Sequence, residues 1–556
     1  MDRNSVNTNS AQLFVGANVV SYMPGANRHL SAILVVGGKI AAIGEASDLE
    51  SMARSKNLTL EKVDMAGAFM VPGFVDPHAH PLMYGQMMDW VDVGPQIAGD
   101  IESIIRILRD YEKDLPAGVP LRAFGYEHRN LAEVRHPVRS DLDQVSTVRE
   151  IYVMNASGHG GAVNSLVLER NGITAKTANP VGGVFERDET GSPTGVLWDA
   201  ACDILTGPTG VKLGNHAPNF HLPDSLDTLT SQLLHAQEIF IKNGVTTIGD
   251  AQVSLREFDC YISAFKQNKL RARYSMFATS AMLKGLPQFK SENLPITDLL
   301  RLDGVKLYAD GTLGGWTAYF PEGYAADKTR TGQLYHSSEE FDELFLEASR
   351  AGFNVATHAQ SPTAIQMVID AARKAGHESG LSAKERLNVF RIEHCGLPLT
   401  TQMKELADLG IIAVAQPMHH HNWGDGVIAA LGESAGGRFN PLGEFLRFGV
   451  DFALSSDAPV AKPHPFEAVA AAVERRTVHG TEMGSKDLSI GIREGLLAHT
   501  LSGARALGLQ GEIGSLEVAK SADFLIVDKD PTQVDLDELR RIRVESTWLN
   551  GQKVYG

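Results

Sequence analysis

The feature that most limits how this chain can fold is a strand–helix alternation repeated eight times. Candidate strands are Phe74-Val75, Val245–Asp250, Arg271–Phe277, Gly304–Tyr308, Phe353–Thr357, Val389–Ile392, Ile411–Ala415 and Asp451–Leu454, with helical patterns between most of them. One unit shows the grammar. Ser337-Ser-Glu-Glu340 is a capping box, because Ser337 can accept from a first-turn amide while Glu340 reaches back. Phe341, Leu344, Phe345 and Ala348 then form one helical stripe, Gly352 stops the helix, and the next apolar run follows. Repeated βα units imply a parallel sheet, and eight of them favour a closed (β/α)8 TIM barrel over an open doubly wound sheet.

At 556 residues the chain exceeds one simple core. Residues 12–72 read as short strands split by Gly37-Gly38, and the C-terminal end has the same texture in Ala522–Val527 and Val544–Leu549. We therefore expect one composite β domain from residues 1–72 plus 510–556, and a barrel over 73–509. Residues 85–225, after strand one, are too long for a connection and are expected to form an insert or lid over the barrel mouth.

In such barrels the chemistry lies at the C-terminal ends of the strands. Strand one ends in His78-Ala-His80, and alternate residues of an extended chain point to one side. Strand four carries Lys306, strand five ends in His358, strand six in Glu393-His394, and strand eight in Ser456-Asp457-Ala458. Imidazoles and a carboxylate suit zinc and similar divalent cations, with Mn2+ and Fe2+ as alternatives. A cation so held lowers the pKa of bound water to about 7, and Asp457 is placed to take its proton and pass it to a leaving nitrogen. Lys306 as an ammonium cannot ligate a cation. Carboxylated by CO2 it would offer two oxygens able to bridge metals, and the other readings are a pair with Asp310 or a substrate contact.

These motifs, Val71-Pro-Gly-Phe-Val-Asp-Pro-His-Ala-His80, Val305-Lys-Leu-Tyr-Ala-Asp310, Thr357-His-Ala359, Glu393-His394 and Ser456-Asp-Ala-Pro-Val460, resemble the amidohydrolase superfamily, and within it amidohydrolase family 3. Ser157-Gly-His-Gly-Gly-Ala-Val-Asn-Ser165, Thr194-Gly-Val-Leu197 and Gly514–Phe524 extend the likeness from about Leu13 to Tyr555. The resemblance implies a metal-loaded barrel, a small β-sandwich built from both termini, and hydrolysis of non-peptide C–N bonds by metal-activated hydroxide: a linear amide, N-substituted formamide, urea or carbamate. It assigns His78, His80 and Asp457 to one metal, His358 and His394 to a second, and carboxylated Lys306 to the bridge. After the strand-five histidine this chain departs from the family pattern, running Ala359-Gln-Ser-Pro-Thr-Ala364.

Substrate contacts are expected from His159, from Trp316 and from His420 in the run Gln416-Pro-Met-His-His-His421, with Asp310 and Glu393 orienting ligands. No nucleophile elbow, phosphate-cradling loop or dinucleotide fingerprint stands in a suitable context. A formal net charge of −16 argues against nucleic acid or an anionic membrane as partner, leaving a small-molecule substrate and a homo-oligomer, such as a dimer, as expectations. Three separated cysteines and a polar start without an apolar signal core point to the cytoplasm. Two rival functions remain open: a deaminase or cyclic-amide (imidazolone- or hydantoin-type) hydrolase, and a non-catalytic metal or small-molecule binding protein.

Overall fold

The computed structural model describes residues 10–23, 31–207, 210–219, 222, 224–382 and 385–556. Its centre is an eight-stranded parallel sheet built, in chain order, from β1 (Phe74–Ala79), β2 (Val245–Val253), β3 (Arg273–Thr279), β4 (Leu300–Tyr308), β5 (Asn354–Ala359), β6 (Phe390–His394), β7 (Ile412–Ala415) and β8 (Phe452–Leu454). Each strand pairs with the next in parallel register. All eight expected strands are there, for the reason their sequences announce: nearly every residue is buried, so each reads as a short apolar run.

Closure is made beyond the strand ends. Asp457 donates its backbone N–H to the His78 carbonyl (2.9 Å) and His80 donates to the Ala458 carbonyl (2.8 Å). Two sequence-distant stretches that carry chemistry are thus sewn together by main chain. The strand is longer than its apolar core Phe74-Val75 and runs through Asp76-Pro77 to Ala79. A proline inside a strand is tolerated where the pairing is already irregular, and the β1–β2 register shifts at this point. Gly249 of β2 lets the backbones approach there, since a Cβ on it would lie 2.2 Å from the Pro77 carbonyl oxygen.

The capping box on Ser338–Arg350 forms as read, with Ser337 Oγ accepting from Glu340 N (3.2 Å) and Glu340 Oε2 accepting from Ser337 N (3.0 Å). Barrel strands and surrounding helices share the largest apolar cluster. Outside the barrel, one five-stranded sheet draws on both ends of the chain: Asn18–Val19, Phe69–Pro72, Phe524–Val527, Val544–Leu549 and Gln552–Tyr555. A four-stranded sheet comes from residues 10–64 alone. Between β1 and β2 the chain builds a separate six-stranded sheet with its own apolar cluster. No helix among the described residues is long and apolar enough to cross a membrane.

Candidate metal centre and substrate cavity

Asp457 is the hub. Its Oδ1 lies 3.3 Å from His78 Nε2 and 3.2 Å from His80 Nε2, and its Oδ2 lies 3.5 Å from His419 Nε2 and 4.0 Å from His394 Nδ1. Two groups of three donors result, His78–His80–Asp457 and His394–His419–Asp457, each with one ligand atom per residue within 4.8 Å of the others. Lys306 and His358 line the same cavity, with the His358 ring centroid 4.4 Å from that of His394.

Three of the rings are oriented by a hydrogen bond at one nitrogen, which for His394 is the Nδ1 nearest Asp457. His78 Nδ1 is bound by the buried Glu393 carboxylate, His394 Nδ1 by Gln416 Oε1 (2.7 Å), and His358 Nε2 by the Gly311 carbonyl (3.0 Å). Gln416 cannot flip without loss, because its amide N–H groups donate to the Val414 carbonyl and to Ser455 Oγ. A donated N–H at one nitrogen leaves the other as a lone pair, so these partners set both tautomer and aim.

The electrostatics fit a cation. Burial drives His358 and His394 well below the ordinary histidine range and His419 down to about 4, so these rings are neutral donors at neutral pH. Burial and Lys306 act the same way on His78, but the carboxylates of Glu393 and Asp457 more than reverse it. Burial would raise Asp457, yet His78 and His80 hold it well below the usual carboxylate range, ionised. His419 Nε2 is buried with no hydrogen-bond partner among the described residues. A buried lone pair beside a shared carboxylate is what a divalent cation would satisfy, and the residues present fit one. His394 (φ +69°) and Asp457 (φ +54°) both lie in the left-handed region, which costs of order 1–3 kcal/mol each and is held by the surrounding packing.

The comparisons with known proteins agree. The amidohydrolase family model matches residues 61–555. This chain belongs to the amidohydrolase family. It is 28% identical to the N-substituted formamide deformylase of Arthrobacter pascens, over 97% of each chain. It is 26% identical to the protein LONG AFTER FAR-RED 3 of Arabidopsis thaliana, over 94% of this chain and 88% of that one. Among solved structures, an uncharacterized metal-dependent hydrolase from Pyrococcus horikoshii superposes with a TM-score of 0.74 at 22% identity, covering 95% of this chain and 99% of that chain. As an amidohydrolase the protein is a hydrolase of carbon–nitrogen bonds.

Within this amidohydrolase the expected residues fall differently from one another. His159 lines the cavity, 5.0 Å between ring centroids from His358, and its Nδ1 is bound by Asp199 Oδ1 (2.8 Å). Asp199 is fully buried at φ +54° and also accepts from the Tyr335 hydroxyl (2.8 Å). Nothing in the sequence flagged it, since it sits forty positions from His159 and meets it only through space. Lys306 has no carboxylate within ion-pairing distance among the described residues, and burial lowers it to about 8 against the pull of Glu393 and Asp457. The alternative pairing with Asp310 does not form: that carboxylate accepts the backbone N–H groups of Gln360, Ser361 and Tyr319.

Two expected contacts are corrected. His420 is fully buried away from the cavity, with Nε2 donating to the Ala471 carbonyl (3.0 Å). Its neighbour His419 faces the cavity instead, because Pro417–Leu431 is a helix whose inward face is His419, Trp423 and Val427 at four-residue steps. Trp316 does not line the cavity either. It stacks on Tyr324 (5.3 Å between centroids) under Arg330, and the aromatic wall is Trp423.

Proposed function

We propose that the protein is a cytosolic, metal-dependent hydrolase of linear non-peptide C–N bonds, with N-substituted formamides and related amides as its substrates. The observation that carries this reading is the convergence of four histidines on the two oxygens of Asp457 inside one cavity. His78, His80, His394 and His419 with Asp457 would hold one or two divalent ions, zinc by preference for imidazole-rich sites. When bound, such a cation polarises a carbonyl and makes water acidic enough to attack at neutral pH.

The chain's own residues supply the rest. Asp457, ionised and shared between the two donor groups, accepts the proton of the attacking water and returns it to the departing nitrogen. His159, with its Nδ1–H given to Asp199, presents Nε2 to the cavity as an acceptor for the amide N–H, which orients the scissile bond. Lys306, buried and without a carboxylate partner, is the residue a CO2-derived carbamate would form on. The substrate class is supported by the deformylase relative, whose name is that of an enzyme acting on N-substituted formamides.

Prolonged chelation is expected to remove activity on a panel of N-substituted formamides, amides and carbamates, and added zinc or manganese to restore it, read by amine release. Full activity after exhaustive dialysis against chelator would end this reading. Replacing Asp199 by Asn offers His159 an N–H where it needs an acceptor and reverses the ring's tautomer. The expected loss in kcat/KM is about tenfold or more, with zinc content unchanged by elemental analysis.

A further inference from the structure

The cavity of the candidate metal centre continues as a chamber that shares His159, His358, His394 and Asp457 with it. Leu313, Trp423, Val427, Phe439 and Val460 make its apolar wall, and Ser157, Thr312 and Gln360 add polar groups. One charged group besides Asp457 faces into it, Glu127, which belongs to the insert after β1 rather than to the barrel. Glu127 is 4% exposed. Its polar contacts are made by Oε1 alone, to Arg129 Nε (2.8 Å), the Arg129 backbone N–H (3.4 Å) and His128 Nδ1 (3.1 Å). Its other oxygen, Oε2, has no partner among the described residues.

A Cβ on Gly426 would lie 2.5 Å from the guanidinium carbon of Arg129, so the Arg129 side chain rests directly on the helix Pro417–Leu431 at Gly426. That helix also carries His419, which reaches Asp457, and Trp423, whose ring lies 4.7 Å from His419. The helix that carries His419 and Trp423 therefore also meets the insert segment that carries Glu127. Burial disfavours the ionised form of Glu127, but Arg129 and His128 more than offset it and hold the carboxyl well below the usual range. The terminal nitrogens of Arg129 are buried with no hydrogen-bond partner among the described residues, and Arg129 is not one of the residues lining the chamber.

We propose that this chamber selects substrates whose nitrogen substituent is apolar along its length and ends in a primary amine, which as an ammonium donates to Glu127 Oε2. The proposal rests on the hydrolase reading above and deepens it. A charged acceptor with an open oxygen on a partly apolar chamber wall discriminates by what is left unpaired when the wrong ligand enters. The Trp423 face adds attraction for a cation passing over it.

The test compares three formamides on zinc-loaded full-length enzyme: N-(2-phenylethyl)formamide bearing a para methyl, aminomethyl or carboxymethyl group. The aminomethyl compound is expected to exceed the methyl compound in kcat/KM by roughly tenfold or more, and the carboxymethyl compound to be the poorest. Glu127→Gln is expected to collapse the amine-to-methyl ratio toward one. Equal wild-type rates for the amine and methyl compounds would overturn the proposal, as would a preference for the carboxylate, which would make Arg129 the contact. If Glu127→Gln does not fold, the wild-type ratio decides alone. Failure of the hydrolase reading is separable, because the corresponding amines can be titrated calorimetrically without turnover. The diamine is expected to bind roughly tenfold tighter than the methyl-bearing monoamine, and equal affinities would overturn the chamber's role even in an enzyme of another substrate class.

Discussion

Replacing Asp457 with alanine is expected to cut kcat by at least about a thousandfold, because one substitution removes both the proton acceptor and the donor common to both ligand groups. General base catalysis alone supplies about 10²–10⁴ in rate. The same change also affects the fold, for a separate reason. Asp457 sits at φ +54°, where Asn and Asp are tolerated and alanine costs about 1–2 kcal/mol. Asp457→Asn is therefore the cleaner variant: it keeps the left-handed backbone and the closing bond from its N–H to the His78 carbonyl, but cannot take a proton. Both variants should be nearly inactive, with only the alanine form melting measurably lower. Near-full kcat in Asp457→Asn, measured with zinc content checked, would remove Asp457 from the chemistry altogether.

The barrel and four of the five donors of the candidate centre are legible in the sequence for one physical reason: information that lies along a strand is local, and information that lies across strands is not. His78-Ala-His80 shows itself because alternate positions share a face, and Asp457 because it follows a buried run that ends in Ser-Ser. His419 was hidden by a phase problem. Three consecutive histidines give no cue to which one points inward until the run is known to be helical, and the cue that existed was the four-residue spacing of His419, Trp423 and Val427 behind Pro417, an ordinary first residue of a helix. The triplet alone does not distinguish His419 from His420, which the helix turns toward Ala471. Asp199 and Glu127 were out of reach for a different reason. Both lie in the insert, whose sheet meets the barrel only through tertiary packing, and the bond from His159 to Asp199 spans forty positions that no local pattern links. Trp316 illustrates the converse error: a large aromatic after Gly314-Gly315 suggested a cavity wall, but its ring found Tyr324 and Arg330.

Replacing Glu393 with alanine is expected to be the most damaging single change to stability near the centre. Glu393 is fully buried between Arg391 and His78, its Oε1 2.5 Å from Arg391 Nε and its Oε2 on His78 Nδ1. Burial would raise its carboxyl, but Arg391 and then His78 bring it down to about 2, so it is ionised at any working pH. Arg391 is itself fully buried, with NH1 and NH2 spent on the Ala506 and Pro77 carbonyls and its charge over the Phe277 ring (4.1 Å). Removing the carboxylate leaves that guanidinium without a counter-ion, which costs about 3–5 kcal/mol in comparable buried pairs. It also frees the His78 ring to turn, and losing such an orienting partner lowers metal affinity by about 10–100-fold. The two effects can be separated. A double variant, Arg391→Met with Glu393→Leu, removes both charges and is expected to recover much of the unfolding midpoint lost in Glu393→Ala, while zinc affinity stays low because His78 still lacks its partner. Recovery of zinc affinity together with stability would mean that Glu393 serves only to neutralise Arg391. Continued loss of both would mean that its shape, and not its charge, is what the barrel requires.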